Sequence, residues 1–223
     1  HALSACLSYL RPPAWSTRCR RSPCLFAPQE DEVTTRLSMI IAQKKRKENI
    51  AEYLLYMWQI EDLIRATGVS AEGIDQHLLP RYDGVDDAKR TEIRTWYLEL
   101  VDMMRTEGKV ESGHLDINRI VLMQLEELHR RLISNPNDMV YSGLHLQILP
   151  ALIQLRSKNN GATESDLETC FNAVYGYITL SLQHKEISEE TKKSMKQISA
   201  FLAMLAHRYK MEQDGIESDT SHT

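Results

Sequence analysis

From Asn49 to Arg65 the chain reads N-I-A-E-Y-L-L-Y-M-W-Q-I-E-D-L-I-R, and its large apolar residues recur three and four positions apart. Ile50, Tyr53, Leu54, Met57, Ile60 (or Glu61) and Ile64 mark one face of a helix. Leu55 and Trp58 widen that stripe, so this helix needs neighbours on more than one side, or marks where a partner sits. The pattern predicts a first helix from about Ser38 to Ala66, closed by Thr67-Gly68.

The same period recurs along the body. A short segment opens at Ser70 and is expected to stop at Pro80, before the Tyr82-Asp83-Gly84 turn. A second helix begins near Asp86, with Ile93, Trp96, Tyr97, Leu100, Val101 and Met104 inward, and closes at Glu107-Gly108. A third covers about Leu115–Ser134, with Ile117, Ile120, Val121, Gln124, Leu125, Leu128 and Leu132 as its buried side. Asn135-Pro136 ends it, and Asn135 or Asn137 is expected to cap the next. The fourth, about Asp138–Lys158, turns Met139, Val140, Leu144, Ile148, Leu152 and Leu155 inward. Pro150 predicts a kink there, or two shorter helices. Asn159-Asn160-Gly161 is a stop. The fifth, about Glu164–Lys185, buries Leu167, Cys170, Phe171, Val174, Tyr177, Ile178 and Leu182, with Thr163 and Asp166 as a capping pair. The sixth opens at Ser188-Glu189-Glu190 and carries Met195, Ile198, Leu202, Leu205 and Tyr209. No strand alternation and no fixed-period repeat accompanies these. The expected fold is all-α: a compact bundle of about six helices in one domain over residues 39–212, with a polar, disordered tail over 213–223.

Composition narrows the reading. Of 223 residues, 42% are hydrophobic and 26% charged, which suits a folded chain. The formal net charge of −4 argues against a dedicated duplex-DNA binder, which needs a broad basic face. No run approaches the ~18 apolar residues of a membrane span. The first 38 residues differ from the rest. They hold Pro12, Pro13, Pro23 and Pro28, several arginines and no helical period. They are expected to be a disordered or non-native extension, with Met39 as the natural start; a targeting segment fits less well because the prolines interrupt any amphipathic helix. Cys6, Cys19 and Cys24 lie in that extension and Cys170 stands alone in the body. A reducing, cytoplasmic setting is therefore expected, with Cys170 a small buried hydrophobe.

The chemistry-bearing patterns are few. Lys44, Lys45, Arg46 and Lys47 form a basic run that a nucleic acid or anionic surface would recognise, together with Arg65 and Arg81. Glu48 and Glu52 are placed to neutralise it, so an ordinary solvated helix start weighs more. Glu126-x-x-His129 has the spacing of a di-metal helix pair, but no second pair matches it, and His145, His184 and His207 stand isolated. Glu111-x-x-His114 straddles a glycine. No phosphate-cradling glycine loop, nucleophile elbow or H-E-x-x-H occurs. Gly176, between Tyr175 and Tyr177 inside a helix, marks a possible close approach of another helix or a ligand. No catalytic residue, metal set or cofactor is assigned on these grounds.

Three segments together resemble a known family: Lys45–Ala66, Leu144–Leu155 (L-H-L-Q-I-L-P-A-L-I-Q-L) and Ser199–Tyr209. They are similar to the bacterial domain of unknown function 4924, over about Met39 to Met211. That resemblance implies a start at Met39 and brings no assigned activity, so no catalytic residue is carried over. The leading expectation is a non-enzymatic module that self-associates or binds a protein partner, through Leu55, Trp58 and Gly176. The alternatives are a nucleic-acid or regulatory binder through Lys44–Lys47, and a metal-dependent enzyme using Glu126 and His129.

Overall fold

The computed structural model describes residues 38–158 and 164–220; the amino-terminal extension with Cys6, Cys19 and Cys24, the Asn159-Asn160-Gly161 stop and Thr163 lie outside them. Among the described residues there are eight α-helices and no strand, so the fold is all-α. The chain's contacts fall into two compact groups.

The first group spans residues 52–120 with the segment through Glu48. It holds α1 (Ser38–Glu48), most of α2 (Ile50–Ala66), the short α3 (Ala71–Gly73) and α4 (Asp87–Thr106). The single predicted first helix is in fact two. Asn49 interrupts it, and its side-chain Oδ1 accepts the Ala51 amide at 3.1 Å, which caps α2. Gly68 follows α2 with φ +80°, the left-handed position that the sequence predicts. The segment after it does not stop at Pro80. It passes from α3 into a π-turn (Ile74–Leu78) and a 3₁₀ turn (Leu79–Tyr82), where Pro80 sits so early that its missing N–H costs no hydrogen bond. Asp86 caps α4 as expected, accepting the Lys89 amide at 3.0 Å. Leu54, Met57, Ile64, Ile74, Leu78, Tyr97, Met104 and Leu115 are fully buried.

α5 (Asp116–Ile133) carries the chain into the second group, which holds residues 121 onward with Asn49–Ala51. There α6 (Met139–Lys158) packs on α7 (Asp166–Leu182) and on α8 (Glu189–Thr220), and α7 packs on α8. The expected caps shift by a residue or two. Asp138, not Asn135 or Asn137, accepts the Tyr141 amide (3.2 Å), and Ser165 accepts that of Glu168 (3.0 Å). Ser188 caps α8 as predicted, and the helix runs to Thr220.

Two helices bury only part of the side expected: Val121, Leu125 and Leu128 on α5 and Ile148, Leu152 and Leu155 on α6 are buried as predicted, and the rest of each set is not. On α5, Asn118, Val121, Leu125 and Leu128 are buried, whereas Ile117, Ile120 and Gln124 are exposed. α6 passes through Pro150 as one helix, without the break into two that was one expectation. Tyr141, Ile148, Leu152 and Leu155 form its inner side, while Met139 (79% exposed), Val140, Leu146 (65%) and Ile153 (66%) face outward. α6 is apolar nearly all round, so periodicity offers two stripes and only packing chooses. α7 and α8 match better: Leu167, Cys170, Phe171, Val174, Met195, Ile198, Leu202 and Leu205 are all buried, and only Leu182 among the expected set is exposed.

Candidate functional site

α5, α6 and α7 each bring one side chain of a type that can ligate a metal to the same place. His129 comes from the last turns of α5, His145 from the second turn of α6 and Asp166 from the first residue of α7. One donor atom from each lies within 4.8 Å of the others. The three side chains are half-buried. Two of them, His129 and Asp166, line a cleft of about 340 Å³ together with Glu126, Arg130, Ile133, Ser134, Ser165 and Leu167.

Each of the three is held by a defined partner. His145 Nε2 shares a 2.8 Å hydrogen bond with Asp166 Oδ2, and Arg156 donates to Asp166 Oδ1 at 2.8 Å. Arg156 is itself fixed by Thr169 Oγ1 (3.1 Å) and the Glu164 carbonyl (2.8 Å). Burial works to raise the Asp166 pKa, but the bonds from His145 and Arg156 outweigh it and hold the carboxyl below its usual range. His129 Nδ1 shares a 2.7 Å bond with the hydroxyl of fully buried Tyr141, which leaves Nε2 for a ligand. Burial, then the neighbouring His145, push the His129 pKa down from 6.5 to about 4, against the pull of Asp166. Its imidazole is therefore neutral at pH 7 and has a lone pair to offer. Phe201 walls the cluster, with ring centroids 5.6 Å from His129 and 5.7 Å from His145.

Glu126 and His129, the i,i+3 pair singled out in the sequence, line this cleft together. The other members were missed. His145 looked isolated because its partners lie 16 residues back and 21 ahead, across two turns.

The first group contains a second polar cluster that sequence did not suggest. Glu61 is 0% exposed and accepts three hydrogen bonds: from Asn118 Nδ2 (2.7 Å), the Leu115 amide (3.0 Å) and His114 Nδ1 (2.7 Å). It thereby satisfies an amide at the start of α5. The Trp58 indole stacks on the His114 ring at 3.9 Å between centroids and is 2% exposed, so the extra apolar side of α2 is covered at that residue. Leu55 is half-buried.

The basic run lies on the last turns of α1, not at a helix start, because the chain breaks at Asn49. Lys45 pairs with Glu52 at 2.7 Å, Lys44 approaches Glu48 at 4.0 Å, and Arg46 stands over the Tyr53 ring at 5.6 Å. Lys47 is exposed. Arg65 is committed within the first group: it donates to Asp62 Oδ1 (2.7 Å), to the Lys109 carbonyl (3.3 Å) and to the Gly113 carbonyl. Gly176 is half-buried in α7. Cys170 is fully buried and burial raises its thiol pKa, so it is an inert core residue as predicted.

The family model for the domain of unknown function DUF4924 matches residues 39–216, most of the chain. The protein belongs to the DUF4924 family. No curated protein and no solved structure matches it. The family description assigns no chemistry, so the DUF4924 domain has to be read from its own side chains. No helix among the described residues is long and apolar enough to cross a membrane.

Proposed function

We propose that this DUF4924 protein binds a divalent transition-metal ion through His129, His145 and Asp166. The observation that supports this is the convergence of three donor atoms from three helices within 4.8 Å. Across a tetrahedral ion with metal–ligand bonds of ~2.0–2.1 Å, donors stand about 3.4 Å apart, so modest contraction closes the set. Two imidazoles and one carboxylate suit zinc, iron or cobalt and not magnesium or calcium, which prefer all-oxygen sites. The surrounding groups have the form of an outer shell: Tyr141 on His129, Arg156 on Asp166 and Phe201 as an apolar wall. Binding replaces the shared His145–Asp166 hydrogen bond by bonds to the ion. Titration calorimetry with zinc ions tests the reading. One site per chain is expected, weakened at least a hundredfold in His129→Ala and His145→Ala, with no heat from magnesium. Equal binding in these variants overturns it.

A second reading, self-association, is favoured by the outer face of α6. Met139, Leu146 and Ile153 recur every seven residues with exposed Gly143 and Pro150 between them, and no charged residue interrupts the stripe. Set antiparallel, two copies place large side chains against large and Gly143 beside Pro150. On this reading the association surface is the outer face of α6, whereas the sequence pointed to Leu55, Trp58 and Gly176.

A further inference from the structure

Glu126 shares the cleft with His129 and Asp166 but is not part of the three-donor cluster. The reason lies in the cap of α7. Ser165 Oγ accepts the Glu168 amide at 3.0 Å, so its own proton is available to donate, and it donates to Glu126 Oε1. The cap fixes Ser165, and Ser165 fixes Glu126. The carboxylate is thus tethered beside the cluster. The ligand count then matters. Structural zinc sites are closed by four protein donors, whereas three protein donors leave a position for water or another ligand. Two of the three donors, His129 and Asp166, line the cleft, and its volume of about 340 Å³ holds several water-sized groups. Arg130, also on the lining, adds a positive charge that its ion pair with Glu127 partly offsets.

We infer that the ion bound by His129, His145 and Asp166 keeps one coordination position open to the cleft and takes water there, which a small anion can displace, with Glu126 outside the coordination shell as the hydrogen-bond acceptor for that water. The inference rests on the metal reading above. An accepting carboxylate beside an ion-bound water is the arrangement of hydrolytic metal sites, and a small anion that binds the ion competes with that water.

The test uses the full chain loaded with cobalt(II), whose visible spectrum reports its ligands, and azide as the probe. The wild type is expected to take one cobalt and to change its visible bands saturably as azide is added. Glu126→Gln is expected to hold cobalt within about threefold of wild type and to bind azide at least as tightly, because a negative charge beside the anion is gone. Far-ultraviolet circular dichroism checks that the variant is folded, and Glu126→Asp serves if it is not. Two results overturn the inference: a cobalt-loaded wild type that ignores azide, or a folded Glu126 variant that loses cobalt tenfold or more, which would make Glu126 a fourth protein ligand. Neither of these touches the metal reading. Failure of the wild type to take any cobalt removes both.

Discussion

At the scale of single residues, the two charged clusters differ in what they do for the protein. Glu61 is a buried carboxylate with three donors around it, so truncation leaves the Asn118 amide, the Leu115 N–H and His114 without their acceptor. Glu61→Ala is expected to lower the unfolding free energy by about 3–5 kcal/mol, read by urea denaturation; a loss under ~1 kcal/mol would show that water replaces the carboxylate freely. His129 gives a pH dependence of definite sign. In the unfolded chain it titrates near 6.5 and in the folded protein at about 4, so between those values the unfolded state holds the extra proton. Its contribution to stability is full above about pH 6.5, falls by at most ~1.4 kcal/mol per pH unit as pH drops toward 4, and is flat below. Denaturation curves of wild type and His129→Gln across that window should converge at low pH; parallel curves would contradict the burial effect. The sequence singled out His129 only with Glu126, without Tyr141, His145 or Asp166, and did not show the role of Glu61. Glu61 read as an alternative position on a helical stripe because all three of its partners come from more than 50 residues onward.

Among the elements, capping decides both boundaries and site. Ser165 ends the connection into α7, so Ser165→Ala is expected to cost about 1 kcal/mol as a lost N-cap and to untether Glu126 as well. At Gly73 the backbone approaches closely: a Cβ there would stand 1.9 Å from the Thr67 carbonyl oxygen, a fixed backbone atom. Gly73→Ala should therefore destabilise by about 1–3 kcal/mol, visible as a drop in thermal midpoint; an unchanged midpoint would mean the turn shifts without cost. Helix existence was legible almost everywhere, since Asp86, Ser188 and Gly68 announce their roles locally. The break at Asn49 was not, because the apolar period runs through it and only a side-chain bond to Ala51 makes the cap.

For the molecule as a whole, sequence read the inner stripe of α6 only in part: Ile148, Leu152 and Leu155 are buried as expected, but Met139 and Val140 are exposed. α6 offers one stripe through Tyr141, Ile148, Leu152 and Leu155 and another through Met139, Leu146 and Ile153; α7 and α8 cover the first. The second stays exposed, and if copies associate through it, Leu146→Glu should shift a concentration-dependent dimer fully to monomer in light scattering without loss of helix. The metal cluster is likewise a product of assembly, since His129, His145 and Asp166 meet only when α5, α6 and α7 are in place. X-ray absorption at the zinc edge of the loaded full chain is the most direct test. The expected shell has two imidazole nitrogens and oxygen donors at ~2.0–2.1 Å and no sulfur. A sulfur shell at ~2.3 Å would place the ion on the cysteines instead, and would contradict a site built from His129, His145 and Asp166.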